Sequence, residues 1–283
     1  MEPTPLATAA TVRDAVLPVR AASLALRLLS GAGKPSIHGY GSGPSGTCET
    51  VWHGLTARGE LLVAAIDTFD NPLTGAPALE PISVRLDVVK ESPEWAARIT
   101  ACAIHLLGTL QWLPQDDAGG YLDASVNPLV AEAAAMPGGR LGVLRTDRVV
   151  LHDSAGVAPM PFADVLASRS PAGAFPSAVE ELSAREELER LTQSDLAELF
   201  ALADDSWDGA LPLTSHAVET CASLHGQVLC VDIDRTGLTL MQVDAAGTRT
   251  ALFAFDQPAG SLSELFGRVG GLAARVGLRR LRS

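Results

Sequence analysis

The chain has 283 residues, of which 47% are hydrophobic and 19% are charged, so it can bury one large or two modest cores and is not expected to be disordered. Its net charge of −12 creates a field that repels phosphate backbones and anionic membrane surfaces, so we expect no nucleic-acid and no membrane partner. The cysteines form no CxxC pair, and no apolar run approaches the roughly 18 residues of a membrane span. No basic stretch of the kind that begins a secretory signal follows Glu2. Together these features predict a cytoplasmic chain with free thiols.

The first predicted element is a short helix, "ATAATVRDAVL", which is expected to end at Pro18 because proline disrupts a helix interior. In the next segment, "SLALRLL", residues Leu24, Leu26 and Leu28 alternate as in a half-buried strand. The sequence therefore predicts a helix followed by a strand before the glycine-rich stretch.

The glycine-rich stretch runs from Leu29 to Gly46 and places a lysine behind Gly-Ala-Gly. It does not fit a phosphate-binding loop, because Leu28 stands where that motif has its first glycine. In addition, Pro35 follows Lys34 where the motif has Ser or Thr. We therefore expect a mobile connection here.

Several strand-like segments predict an antiparallel barrel. The runs "CETVWHGL" and "GELLVAAI" are separated by a turn-length segment, and Ile82 to Val89 alternates again. The run "ITACAIHLLGTLQWL" fits a long strand that is bent or bulged at Gly108. Asn127 and Pro128 then begin an alanine-rich helix, which is followed by two short strands, "RLGVLR" and "RVVLHD".

A segment rich in Pro, Gly and Ser, "SRSPAGAFPS", divides the chain. We place a first domain at residues 1–167, a linker at 168–177 and a second domain at 178–283. In the second domain, "AVEELSAREELERLTQSDLAELFALA" predicts one amphipathic helix with its acidic clusters on the solvated face, and "SHAVETCASLH" predicts another helix. Three strand-like runs, "QVLCVDID", "LTLMQV" and "TALFAF", and a closing helix, "LSELFGRVGGLAARV", complete an α+β module.

This last segment resembles the C-terminal domain shared by HugZ-type haem-utilisation proteins, the glutamyl-tRNA-reductase-binding protein and many actinobacterial relatives. The matching positions are Ile233, Asp234, Gly237, Leu238, Leu240, Phe255, Pro258, Leu262 and Leu265. The resemblance implies the α+β class, with an N-terminal FMN-binding-type split β-barrel like that of pyridoxamine-phosphate oxidase, followed by a small C-terminal α+β domain. It also implies a homodimer.

One departure from the family concerns haem. Relatives carry a His-Leu/Met-Asn-x-Asp-His motif where this chain has Arg190 to Asp195, so both imidazoles are missing and ligation by that helix is not carried over. His216 and His225 are the candidate replacements, and Cys221 would share a helix face with His225 if that segment were helical. The alternative is a structural role, in which Cys230 fills a strand as a small apolar side chain.

The resemblance also raises flavin binding, since split barrels of this superfamily hold the FMN phosphate with basic or hydroxyl side chains on barrel strands. The candidates are Arg85 and Lys90, with Arg98 as a third. An exposed position or a salt bridge is the alternative for an arginine on an alternating strand. His105 is predicted to be a hydrogen-bonded core histidine.

The sequence carries neither a G-x-S-x-G nor an H-E-x-x-H motif, and we assign no catalytic residue and no metal site. We predict a non-catalytic or regulatory binding protein that takes a tetrapyrrole such as haem, or a protein partner through its C-terminal domain. The alternative is a haem-degrading or flavin-dependent oxidoreductase, for which FMN is a less favoured cofactor than haem.

Overall fold

A computed structural model describes residues 9–41, 46–67, 71–170, 173–204 and 209–280, without the side chains of 9–12 and 275–280. Its helices are α1 (Ala9–Leu29), α2 (Pro128–Ala135), α3 (Phe162–Ala167), α4 (Ala178–Leu188), α5 (Gln193–Asp204) and α6 (Leu262–Arg280). Its strands are β1 (Lys34–Gly39), β2 (Gly46–Cys48), β3 (Val51–Leu55), β4 (Leu61–Ile66), β5 (Pro81–Glu91), β6 (Thr100–Trp112), β7 (Gly139–Arg145), β8 (Arg148–Asp153), β9 (Gly156–Pro161), β10 (Ala210–His216), β11 (Val228–Asp234), β12 (Gly237–Asp244) and β13 (Gly247–Ala254).

The strands form two antiparallel sheets, which confirms the α+β class. The first sheet has the order β2-β1-β5-β6-β7-β4-β3, and β8 joins it by pairing with β6 and with β9. The second sheet has the order β10-β13-β12-β11. Among the described residues, β2 and β3 lie at the two ends of the strand order of the first sheet and do not pair with each other, so this sheet is open. No helix in these ranges combines the length and the apolar character needed to cross a membrane.

The prediction for the first thirty residues is wrong, because α1 continues through Pro18 to Leu29 as one helix. Its last turns bury Leu24, Leu28 and Leu29 in the core of the first sheet, at the spacing of one helix face. Burying three leucines contributes roughly 2 kcal/mol each, which outweighs the roughly 3 kcal/mol that a proline costs inside a helix. Packing therefore decides against the predicted helix stop.

The glycine-rich stretch is also more ordered than predicted. Lys34 to Gly39 form β1, which pairs with β5 through the whole strand and buries Ile37. Gly33, just before the strand, has a φ of +84° that favours glycine, and an added Cβ would lie 2.8 Å from the carbonyl oxygen of Val89. The part of the expected connection at residues 42–45 lies outside the described residues.

Most of the predicted barrel strands are present. The hairpin is confirmed for β3 and β4, although Cys48 of the first predicted run belongs to β2, at the other end of the strand order. The alternating strand β5 and the helix α2, capped by the side chain of Asn127, are confirmed. The strand β6 is confirmed as well, but its ladder with β5 runs through Gly108 without a register shift. Instead, Gly108 lies where the other neighbour of β6 changes from β8 to β7, and an added Cβ would lie 2.4 Å from the carbonyl oxygen of Arg145.

The second half departs from the prediction at two points. The segment predicted as one long helix forms two helices, α4 and α5. Thr192 caps the start of α5: the Asp195 backbone N–H donates to Thr192 Oγ1 at 3.2 Å, and the Thr192 backbone N–H donates to Asp195 Oδ2 at 2.8 Å. The helix predicted in "SHAVETCASLH" is wrong, since its start belongs to β10 and only Ala222–Leu224 form a short 3₁₀ helix. The strands β11 to β13 and the closing helix α6 are confirmed.

We predict that Gly108→Ala destabilises the chain by roughly 1–3 kcal/mol, because the new Cβ forces the backbones of β6 and β7 apart. The matched control is Gly267→Ala, on α6, where no atom lies within 4 Å of the new Cβ and helix propensity favours alanine by about 1 kcal/mol. Urea unfolding of both variants measures the difference. Equal stability of the two variants would contradict the close approach.

His53 on β3 gives a pH prediction. Its Nε2–H donates to the Leu28 carbonyl oxygen at 2.5 Å, and burial lowers its pKa to about 4, against the opposing effect of that hydrogen bond. Between pH 6.5 and 4 the unfolded chain therefore binds more protons at His53 than the folded chain does. The stability that comes from keeping His53 neutral is complete above pH 6.5 and is lost as the pH falls. We expect wild type to lose about 1 kcal/mol per pH unit more than His53→Gln in urea titrations between pH 6.5 and 4.5. The exposed-site control, His216→Gln, should follow wild type.

Candidate functional site

The two residues predicted on β5 lie on opposite faces of that strand. The guanidinium of Arg85 is half-exposed and its Nε–H donates to Asp87 Oδ1 at 2.7 Å. The ammonium of Lys90 is buried on the other face, with 9% of its side chain exposed. Because side chains alternate along a strand, these two cations do not converge on one phosphate. Arg98 is exposed and pairs with Glu91 at 2.5 Å.

Lys90 belongs to a buried group of charges between the two sheets, which we call the inter-sheet ion cluster. Its members are Arg20, Arg27, Lys90, Asp153, Glu181, Arg185, Asp232 and Asp234. Lys90 Nζ donates to Glu181 Oε1 at 2.9 Å and to Asp232 Oδ1 at 2.7 Å. Arg27 contacts the same two carboxylates through Nη2 at 2.8 Å and Nη1 at 3.3 Å.

The cluster continues two turns earlier along α1, on the same helix face. Arg20 Nε–H donates to Asp234 Oδ2 at 3.0 Å, and its Nη1 pairs with Asp153 of β8. Arg185 donates to the carbonyl oxygens of Cys230 and Val231 at 3.0 and 3.1 Å. The four cations of the cluster thus face four carboxylates, three of which follow residue 177.

Asp232 and Asp234 differ in their titration. Burial alone would raise the pKa of Asp232, but Lys90 and Arg27 lower it well below its ordinary value. Burial raises the pKa of Asp234 in spite of the nearby Arg20. The prediction that the acidic residues of α4 lie on a solvated face is wrong for Glu181, whose carboxylate is needed beside two buried cations.

A second group of polar side chains crosses the outer face of the first sheet, and we call it the His–Asp row. It contains His38 on β1, Asp87 on β5, His105 on β6 and His152 on β8. His105 Nδ1 lies 2.5 Å from Asp87 Oδ1, and His38 Nε2 lies 3.3 Å from Asp87 Oδ2. The rings of His105 and His152 meet edge to face, with centroids 4.8 Å apart.

The environment of Asp87 fixes the proton on His105. Partial burial would raise the pKa of Asp87, but hydrogen bonds from Arg85 and His105 lower it below its ordinary value. An ionised carboxylate only accepts hydrogen bonds, so the Nδ1 atom of His105 carries the proton. The Nε2 atom of neutral His105 then holds the lone pair, on a side chain that is 34% exposed. The predicted hydrogen bond of His105 is confirmed, but the residue lies on the outer face rather than in the core.

The structure does not gather the predicted histidines of the second domain into a ligand set. His216 ends β10 and is exposed, while His225 follows the 3₁₀ helix and its Nε2 lies 3.0 Å from Thr220 Oγ1. Cys221 is exposed with its Sγ 3.1 Å from Ser223 Oγ, and Cys230 is buried in β11. Across the described ranges, no three His, Cys, Asp or Glu side chains are arranged to hold a metal ion.

Comparison with known proteins leaves the family open. No protein-family model matches the chain, and no curated protein matches it. Among solved structures, a haem-binding protein from Mycobacterium smegmatis is 16% identical, with a TM-score of 0.49 over 92% of this chain and 98% of that one. A protein of unknown function from Agrobacterium tumefaciens is 17% identical, with a TM-score of 0.34 over 90% of this chain and 94% of that one. At these identities and TM-scores, neither structure establishes a shared family or function.

We predict that Asp232→Asn lowers the free energy of unfolding by about 3–5 kcal/mol, because it leaves Lys90 and Arg27 buried with one carboxylate fewer. The control is Asp204→Asn, which removes an exposed pair with Arg249 and should cost less than about 1 kcal/mol. Denaturant unfolding followed by circular dichroism measures both. A cost for Asp232→Asn no larger than that of the control would contradict a cluster that holds the sheets together.

Proposed function

We propose that this chain is a haem-binding protein that takes the tetrapyrrole on the outer face of its first sheet, with His105 Nε2 as the iron ligand. The observation that carries the proposal is the 2.5 Å contact between His105 Nδ1 and Asp87 Oδ1. Histidines that ligate metals commonly donate their other ring N–H to a carboxylate, which orients the ring and raises its basicity. An imidazole is also a usual axial ligand of haem iron.

The surroundings of His105 supply groups of the kind that haem needs. Leu107, two residues further along β6 and on the same face, is 60% exposed and offers apolar surface for the macrocycle. Arg85 lies beside Asp87 with half of its side chain exposed, and a guanidinium pairs well with a propionate carboxylate. The ring of His152 packs against His105 and limits its rotation.

We further propose the finer architecture that the family resemblance implies. In it, residues 1–167 form an FMN-binding-type split barrel, residues 168–177 a linker and residues 178–283 the second domain, and two copies pair. The first sheet lies within residues 34–161 and the second within residues 210–254, which supports this division. The flavin alternative loses support from the opposite orientations of Arg85 and Lys90 on β5.

Titration with hemin tests the function. We expect the full chain to shift the Soret band, and His105→Gly to lose at least tenfold in affinity and regain the band when imidazole is added. Asp87→Asn should weaken binding by roughly ten- to hundredfold and raise the iron reduction potential, since the imidazole becomes a weaker donor. The controls are His216→Ala and His225→Ala, which should titrate like wild type.

Two results would contradict the proposal. If wild type produces no Soret shift, the chain does not bind haem. If His216→Ala or His225→Ala abolishes the band while His105→Gly keeps it, haem is bound by the second domain instead. Circular dichroism of each variant separates a lost ligand from a lost fold.

A further inference from the structure

A cleft of about 600 Å³ opens between the β1–β5 edge of the first sheet and α4. Its volume falls within the range of about 300–1,000 Å³ that is usual for small-molecule sites. Apolar walls come from Pro35, Val89, Pro93 and Leu182, which belong to both halves of the chain. The cleft contains none of the residues of the His–Asp row, although it adjoins that row at Ser36.

Cations outnumber carboxylates among the residues that line the cleft. The chain as a whole has a net charge of −12. The four cations that line the cleft are Arg27, Lys34, Lys90 and Arg98, and the three carboxylates are Glu49, Glu91 and Glu181. Asp232, which contacts Lys90 and Arg27 but does not line the cleft, balances this difference of one charge. The cleft region is therefore neutral and does not share the negative charge of the whole molecule.

Two of these cations are buried, and not all of their N–H groups have a partner among the described residues. Lys90 directs two of its three N–H groups at carboxylates. Arg27, with 3% of its side chain exposed, uses four of its five N–H groups, on Pro176, Asp232, Ile233 and Glu181. Because both residues line the cleft, a charged group that enters it meets donors fixed by the inter-sheet ion cluster.

Two helix ends lie at the cleft, and one of them favours an anion. Ala178, the first residue of α4, lines the cleft, so the positive end of that helix dipole adds to the cations. The carbonyl groups at the end of α1 would oppose an anion, but they are engaged: the Arg27 oxygen accepts from Ala32 N–H at 3.1 Å and the Leu28 oxygen from Gly31 N–H at 3.2 Å.

We propose that this cleft binds an organic anion with an apolar body, and that it is a site separate from the haem face. The carboxylate or other anionic group of the ligand is held at the cationic floor and rim, and its apolar part packs against the proline, valine and leucine walls. Lys34 and Arg98 at the rim are exposed and their pairs with Glu49 and Glu91 exchange readily with a ligand anion.

Two fluorescent probes that differ in one charged group test this proposal on the full chain. Dansylglycine carries a carboxylate, and dansylamide has the same fluorophore without it. We expect dansylglycine to bind at least tenfold more tightly than dansylamide. The double variant Lys34→Glu/Arg98→Glu should lose at least tenfold in dansylglycine affinity, and Glu49→Gln/Glu91→Gln should gain severalfold.

The matched control is Arg58→Glu, which reverses an exposed arginine that pairs with Glu60 outside the cleft. It should change dansylglycine affinity by less than twofold, and all of these exposed substitutions should keep the wild-type melting temperature. Equal affinity for the two probes would overturn the proposal. So would an effect of Arg58→Glu as large as that of the rim variant.

The haem face is tested separately in the same proteins. His105→Gly should bind dansylglycine like wild type, and Lys34→Glu/Arg98→Glu should bind hemin like wild type. A failure to bind hemin therefore leaves the anion site intact. If the rim variant loses hemin affinity as well, the cleft and the haem face are one site, and the proposal of a second site is wrong.

Discussion

The structure depends on a charge balance between its two sheets. Moving a charge out of water costs several kcal/mol, so each buried cation of α1 and β5 requires a carboxylate at hydrogen-bond distance. Asp232 and Asp234 meet this requirement from β11, and Glu181 meets it from α4. The position of the second sheet is therefore set by directional contacts as well as by apolar packing, which has no preferred direction.

The alternation of β5 links this balance to both proposed sites. Arg85 and Asp87 face outward, where Asp87 orients a histidine of the neighbouring strand. Lys90 faces inward, where its ammonium joins the cluster and also forms part of the cleft floor. One strand thus contributes Arg85 and Asp87 to an open, imidazole-bearing surface and Lys90, on its opposite face, to the cleft.

The sequence predicted elements whose pattern is local. The hairpin of β3 and β4, the strands β11 to β13 and the helices α2 and α6 follow from periodicity, turns and caps that lie within a few residues of each other. α1 was mispredicted because its last turns are buried on more than one side, which gives no clear helical pattern at Leu24, Leu26 and Leu28. The His–Asp row was missed because four strands contribute one side chain each. A usable signal for the cluster was the pair Asp232 and Asp234 inside an apolar run.

The distance along the chain between cluster partners has a consequence during translation. Arg20 and Asp234 are 214 residues apart. A ribosome that adds roughly 5–20 residues per second needs on the order of 10–40 s to cover that interval. During most of it the two arginines of α1 lack part of their partners, because Asp153 and Glu181 lie 133 and 154 residues after Arg20 and Arg27, and Asp234 is made last. The complete set of ion pairs that docks the amino-terminal helix is therefore available only when nearly the whole polypeptide has been made.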